Sequence, residues 1–325
     1  LTSGRDQETG SFQSVENMRS VIAGILAVNF LIGGAAWASP SMTSLPQAPG
    51  GAPEPYALPN TQVRELQSKA SNAIYRLFVA TPPDYATSGK RYPVVYMLDA
   101  DYSFALTRNI VQHFVERGKL PEMILVAIAY PGAAEDMEVY QSNRKRDYTP
   151  SAGLRVGFSA DGSPGHNGQG GADTFRAFIA EEVVPFVEAT YPATSDRTFV
   201  GHSYGGLFGT YVLLTTPDLF KRYVIVSPSL WFADALMLKV EKRQSAARAI
   251  EAHAYFAIGS RETRATTGAP MVQQLKQFTK QLGAQRSNGL EVTLDVREGE
   301  THDSIFPGAV TRGLITVFGD MAPGT

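Results

Sequence analysis

Apolar residues along this chain fall into short continuous runs and into stretches at helical spacing, and the two kinds alternate. Val63–Leu66 and Ala73–Ala80 read as strands, the second alternating apolar and polar before Pro82-Pro83. Tyr92–Leu98 and Met123–Ile128 are runs bounded by turn residues and predict buried strands. Between them Phe104–Arg117 carries Ile110, Val111, Phe114 and Val115 at the spacing of an amphipathic helix. After Ile128 the pattern breaks, and a long loop region is expected: Ser142–Pro150 is charged and 151–171 is rich in Gly and Ser. Gly171–Tyr191 predicts a long helix with Phe175, Phe178, Ile179, Val183 and Phe186 on one side. Further on, Tyr223–Val226, His253–Ile258 and Leu290–Val296 predict strands, and Phe232–Glu251, Met271–Leu282 and Phe306–Phe318 predict helices. Strands alternating with helices imply an α/β fold, with a mostly parallel central sheet of about eight strands covered by helices on both faces.

The N-terminal region does not fit this alternation. Residues 1–17 are polar and patternless, and read as a spurious or disordered leader. Met18-Arg19-Ser20, the apolar run Val21–Trp37 and the small-x-small site Ala36-Trp37-Ala38 have the layout of a secretory signal peptide over residues 18–38. That layout predicts a periplasmic or secreted protein. The run is short for a membrane span and is interrupted by Asn29, Gly33 and Gly34, so cleavage is favoured over anchoring. Residues 39–60, with prolines at 40, 46, 49, 53, 55 and 59, read as an extended linker. A single folded domain is expected over 61–325.

Composition narrows the function. Of 325 residues, 43% are hydrophobic, enough for a sizeable core, while 18% are charged. The net charge of −2 and the lack of a basic stripe give no electrostatic footprint for nucleic acid. The chain has no cysteine, which rules out thiolate nucleophiles, disulfides and Cys-ligated zinc. No dense metal-ligand cluster is evident, so no cofactor is expected.

The candidate chemistry centres on Thr198–Gly206, where a strand-like stretch turns through Gly201-His202-Ser203-Tyr204-Gly205 into a helix-like one. This G-x-S-x-G in a strand-to-helix context is the pattern of a nucleophile elbow, whose tight bend requires neighbours without side chains and lifts the serine oxygen above the sheet. The amide of Tyr204 would point at a developing oxyanion. Among the five histidines, His113 and His253 belong to regular elements, His202 to the elbow, and His166 to the Gly-rich loop. His302 alone follows the last strand in a turn, where a general base is wanted. Glu262, after the strand His253–Ile258, is the candidate acid. Glu298, Glu300 and Asp234 compete with it, and a Ser-His dyad without an acid is also open. The chain order Ser203, Glu262, His302 is that of α/β-hydrolases. A second oxyanion donor is expected near Ala100, in the loop after Tyr92–Leu98, where Asp99 reads as a turn-stabilising carboxylate.

Several stretches carry a family resemblance: Tyr96–Tyr102, Arg144–Pro150, Gly170–Phe175, Gly201–Gly206, Ser227–Trp231 and Thr301–Asp303. With them the chain resembles the "Putative esterase" branch of the α/β-hydrolases, which includes siderophore (trilactone) esterases, S-formylglutathione hydrolases and feruloyl-type esterases. The R-x-x-D-x-T-P and S-P-S-L-W pieces draw the likeness toward the siderophore side. The resemblance implies a small-molecule ester substrate, Ser203 as nucleophile, His302 as base, and an oxyanion hole that includes Tyr204. It also implies Arg144 and Trp231 near the substrate, with Asp101 a further substrate-side candidate. Relatives commonly have Gly where this chain has Ala100, and the 151–170 insert has no counterpart in the resemblance. From the residues alone, Arg144 and Arg146 could instead pair with Asp147, and Trp231 could pack in the core. Two other functions fit the same residues: a thioesterase resembling S-formylglutathione hydrolase, or a hydrolase fold used only for binding.

Overall fold

The computed structural model describes residues 55–150, 169–244, 250–284 and 289–321. The leader, the signal segment, most of the linker and the 151–168 insert with His166 lie outside the described residues. The folded unit begins at Tyr56.

Its strands are β1 (Thr61–Gln67), β2 (Ile74–Ala80), β3 (Tyr92–Leu98), β4 (Ile124–Ala129), β5 (Ala193–His202), β6 (Arg222–Val226), β7 (Ala252–Gly259) and β8 (Leu290–Arg297). They form one sheet in the order β1-β2-β4-β3-β5-β6-β7-β8. β2 runs antiparallel to both β1 and β4, and every other pairing is parallel. Every residue of β3 and β4 is buried, because helices cover both faces. That is why these strands are continuous apolar runs and not alternating ones. β1, at the sheet edge, is largely exposed and correspondingly polar.

The helices are α1 (Ala100–Val115), α2 (Met137–Tyr148), α3 (Ala172–Phe178), α4 (Val184–Thr190), α5 (Tyr204–Thr215), α6 (Phe232–Gln244), α7 (Arg264–Thr267), α8 (Met271–Ala284) and α9 (Phe306–Val317). Phe104 and Val111 of α1 and Val310 and Leu314 of α9 pack with Met97 and Val224 on one sheet face. α3, α4, α5 and α8 supply the core on the other. The long helix expected over 171–191 is α3 and α4 joined through a π-helical turn at Ile179–Val183. Pro185 lies just beyond it and has no N–H to offer the Glu181 carbonyl, and a widened turn accommodates that missing bond.

Two expectations change. The region after Ile128 is not loop throughout, since Met137–Tyr148 is helical and is capped by the Asp136 carboxylate, which accepts from the amides of Glu138 and Val139. The hydrophobic pattern misses this helix because its inward face is polar. Tyr140, Arg144, Asp147 and Tyr148 recur at helical spacing, and the last three are buried. Helix α1 also starts earlier than its apolar spacing suggests, at Ala100, directly off the left-handed Asp99 (φ 58°). The described part of the helix expected over Phe232–Glu251 ends at Gln244.

Candidate active site

β3, β5, β6, β7 and β8 run parallel and end on the same edge of the sheet, and the segments beyond them carry Ala100, Ser203, Trp231, Glu262 and His302. At the end of β5, Ser203 has φ 60° and ψ −119°, a backbone region that residues with a side chain rarely occupy. The amide of Ser203 donates to the Val226 carbonyl at 3.0 Å, and its own carbonyl accepts from the amides of Leu207 and Ser229 at 2.9 and 3.1 Å. The bend is therefore held from both β6 and α5.

The steric need for glycine falls differently from the motif. A Cβ on Gly201 would lie 2.4 Å from the Gly205 carbonyl oxygen, and one on Gly206 would lie 2.9 Å from that of Val226. One on Gly205 would meet only ordinary contacts at 3.5 Å. The crowded pair is thus Gly201 and Gly206.

Ser203 is partly exposed, and its Oγ lies 2.9 Å from Nε2 of His302. Nδ1 of the same ring lies 2.7 Å from Oε2 of Glu262. Glu262 is completely buried. Its Oε1 accepts from the Ser227 hydroxyl at 2.6 Å and from the Gly259 amide at 2.8 Å. Glu262 is therefore not a solvated surface carboxylate. Of the competing acids, Asp234 pairs with Lys239 on the surface and Glu300 accepts from Ser304. A carboxylate in contact with Nδ1 holds a proton there and leaves Nε2 free to accept one from Ser203.

Tyr204 and Ala100 are the first residues of α5 and α1, so neither amide has an acceptor within its own helix. The two helix starts are adjacent: a Cβ on Gly205 would touch Leu98 and the Asp99 carboxylate. Asp99 is not a simple turn residue. It is buried and binds the buried Arg144 through two bonds, Nε to Oδ1 at 2.7 Å and Nη2 to Oδ2 at 2.9 Å. Burial opposes the guanidinium charge, but the Asp99 carboxylate outweighs it and raises the Arg144 pKa. Arg144 also sits over the rings of Tyr140, Tyr148 and Tyr204. Asp147 pairs with Arg146 instead.

A cavity of about 430 Å³ opens at Ser203 and His302, walled by Tyr102, Tyr140, Arg144 and Phe306. Asp101 is exposed on the first turn of α1, and the neighbour that lines the cavity is Tyr102. Trp231 is 39% exposed and lies beyond Tyr204, with the ring centres 5.9 Å apart. Sequence reasoning did not anticipate Ser227, which donates to Glu262, or Asp99 as the partner of Arg144. Ser227 sits at a positive φ of 44° at the end of β6, and the S-P-S-L-W stretch that begins there was its visible signal.

Among the described residues no helix is long and apolar enough to cross a membrane. A family model described as Putative esterase matches residues 68–315. The ferri-bacillibactin esterase of Bacillus subtilis is 31% identical over 279 residues, covering 82% of this chain and 92% of its own length. The siderophore triacetylfusarinine C esterase of Aspergillus fumigatus is 30% identical over 306 residues, covering 83% and 97%. Among solved structures, the siderophore hydrolase EstA from Aspergillus nidulans superposes with a TM-score of 0.69 at 25% identity, covering 84% of this chain and all of its own. The sheet order, the extent of these matches and the family model agree: the chain belongs to the Putative esterase family and is an ester hydrolase of α/β-hydrolase fold.

Proposed function

We propose that this protein is an exported serine esterase that cleaves carboxylic esters of siderophore type through an acyl-enzyme. One observation carries the reading: the continuous hydrogen-bonded line from Ser203 Oγ through the His302 ring to Glu262, at 2.9 and 2.7 Å. Ser203 attacks the ester carbonyl, forming the Oγ–C bond while its proton passes to Nε2 of His302. Electron density moves onto the carbonyl oxygen, which takes hydrogen bonds from the Tyr204 and Ala100 amides. Collapse breaks the bond to the alcohol, which leaves with the proton from Nε2. Water then repeats the sequence on the acyl-enzyme and releases the acid. The buried Glu262 carboxyl lies against Nδ1 of the imidazolium that forms in both halves.

The siderophore assignment draws on two supports. The relatives compared above are named for siderophore esters. The cavity pairs aromatic walls at Tyr102, Tyr140 and Phe306 with the Arg144 guanidinium, a setting suited to an aromatic acyl group with acidic oxygens. Export rests on the signal-peptide layout of residues 18–38.

A fluorophosphonate probe tests the nucleophile: labelling is expected in the wild type and absent in Ser203→Ala. A panel of p-nitrophenyl acetate, a trilactone triester and S-formylglutathione tests the substrate. Preference for the thioester would overturn the ester assignment, and absence of labelling in the wild type would point to a binding protein.

A further inference from the structure

The proton transfers above do not use His202, although it lies next to Ser203 in the chain and beside His302 in space. His202 is 8% exposed, and its ring centre lies 4.8 Å from that of His302 and 5.6 Å from that of Phe306. Nε2 of His202 lies 2.9 Å from the backbone oxygen of His302. A carbonyl only accepts, so this nitrogen carries a hydrogen. Nδ1 lies 3.0 Å from the Tyr102 hydroxyl. In a neutral ring already protonated at Nε2, Nδ1 can only accept, so Tyr102 donates. Burial, followed by the nearby His302 ring, lowers the His202 pKa to about 3, and Arg144 acts in the same direction. The ring is therefore neutral and holds one tautomer wherever His302 can act as a base.

The contact is well placed to matter. The His302 ring is held at both nitrogens, by Glu262 and by Ser203. Its backbone lies in the turn between β8 and α9, where Ile305 bonds back to Thr301 and Arg261 to Glu300. His202 ties the carbonyl of His302 itself to the end of β5, the strand that presents Ser203.

We propose that His202 is a positioning residue: Tyr102 O–H donates to its Nδ1, its Nε2–H donates to the His302 carbonyl, and this neutral relay fixes the base against the nucleophile. The inference rests on the serine-esterase reading and deepens it.

The test compares His202→Leu, His202→Gln, Tyr102→Phe and Ser203→Ala in the full chain, using p-nitrophenyl acetate kinetics and thermal melting. The proton spectrum is also recorded, for the far-downfield Nδ1–H signal of His302. His202→Leu is expected to lower kcat about 10²-fold with KM within about twofold, the scale of a reacting group displaced by about an ångström. His202→Gln returns an N–H to the His302 carbonyl and should recover most of kcat and the downfield signal. Tyr102→Phe, which leaves the buried Nδ1 without its donor, should lower kcat about fivefold and lower the melting temperature by about a few degrees. If His202→Leu does not fold, the comparison of Gln and Phe with wild type carries the test. Wild-type kcat and an unchanged downfield signal in either Leu or Phe would overturn the relay, as would loss in Leu that Gln does not restore. Activity surviving in Ser203→Ala would overturn the esterase reading instead, so the two failures are distinct.

Discussion

The sharpest test of the proposed acid is Glu262→Gln, because the hydrogen bonds around that side chain dictate how the amide must sit. Oε1 of Glu262 accepts from the Gly259 amide at 2.8 Å, and a backbone N–H can only donate. The glutamine oxygen must therefore take the Oε1 position, where the Ser227 hydroxyl can still donate to it. Its NH₂ group is left facing His302 Nδ1, in the place of an oxygen 2.7 Å away. There it needs an acceptor, which forces the imidazole proton to Nε2, and a protonated Nε2 cannot take the Ser203 proton. Fixing the wrong tautomer in this way costs about 10³- to 10⁴-fold in kcat, or about 4–5.5 kcal/mol of barrier. Stability should hardly change, since every polar group at the buried end keeps a partner. Glu262→Ala should behave differently: Ser227 and Gly259 lose their acceptor, at about 1–3 kcal/mol each, and the melting temperature falls. The assay is kcat with p-nitrophenyl acetate, alongside thermal melts of both variants. If Glu262→Gln retains more than about a tenth of wild-type kcat, the tautomer argument is refuted and a Ser203–His302 dyad remains.

Further consequences follow from the packing. Asp99→Asn leaves the Arg144 guanidinium buried without its countercharge and should destabilise the fold by about 3–5 kcal/mol in urea unfolding; adding Arg144→Met should recover part of that loss. Gly201→Ala should fail to fold or lose more than about 3 kcal/mol, while Gly205→Ala should stay within about 1 kcal/mol of wild type, since only the first places a Cβ against backbone at 2.4 Å. His202 adds a pH dependence. Its folded pKa of about 3 lies below the ordinary histidine value, so the unfolded chain binds the extra proton first as pH falls. The stabilisation is complete above about pH 6.5 and is lost as pH falls toward 3, with a slope approaching about 1.4 kcal/mol per pH unit. Urea unfolding at pH 7, 5.5 and 4.5 should show wild type losing stability relative to His202→Gln by that slope, and parallel losses would refute it.

The fold was largely legible because its signal is hydrophobic. β3, β4, β6 and β7 are covered on both faces, so each appears in the sequence as an apolar run bounded by turn residues. α2 was not legible for the converse reason. It packs through Arg144 and Asp147, whose burial depends on Asp99, 45 residues before Arg144, and on Arg146 and Tyr75. Hydrophobic periodicity weighs each residue by its own polarity, and a side chain whose charge is matched across the fold looks like a loop residue on that scale. The same blindness applied to Asp99, whose turn-forming φ of 58° was readable while its buried partner was not.

The site divides along a similar line. The candidates Ser203 and His302 could be picked out from local sequence: one needs a steric motif around it, and the other needs only to follow the last strand in a turn. Glu262 could be ranked by chain order but not separated from Glu298, Glu300 or Asp234, because what distinguishes it is burial under Ser227 and Gly259, neither of which marks an acid in one dimension. The His202 relay lay further out of reach, since it joins a side chain in the elbow to a backbone oxygen 100 positions later. Backbone acceptors have no residue identity, so no sequence pattern points to them. The elbow motif therefore contains two kinds of information. Its serine and its crowded glycine state their requirement locally, whereas its histidine acquires a role only when β5 and the β8–α9 turn meet at one edge of the sheet.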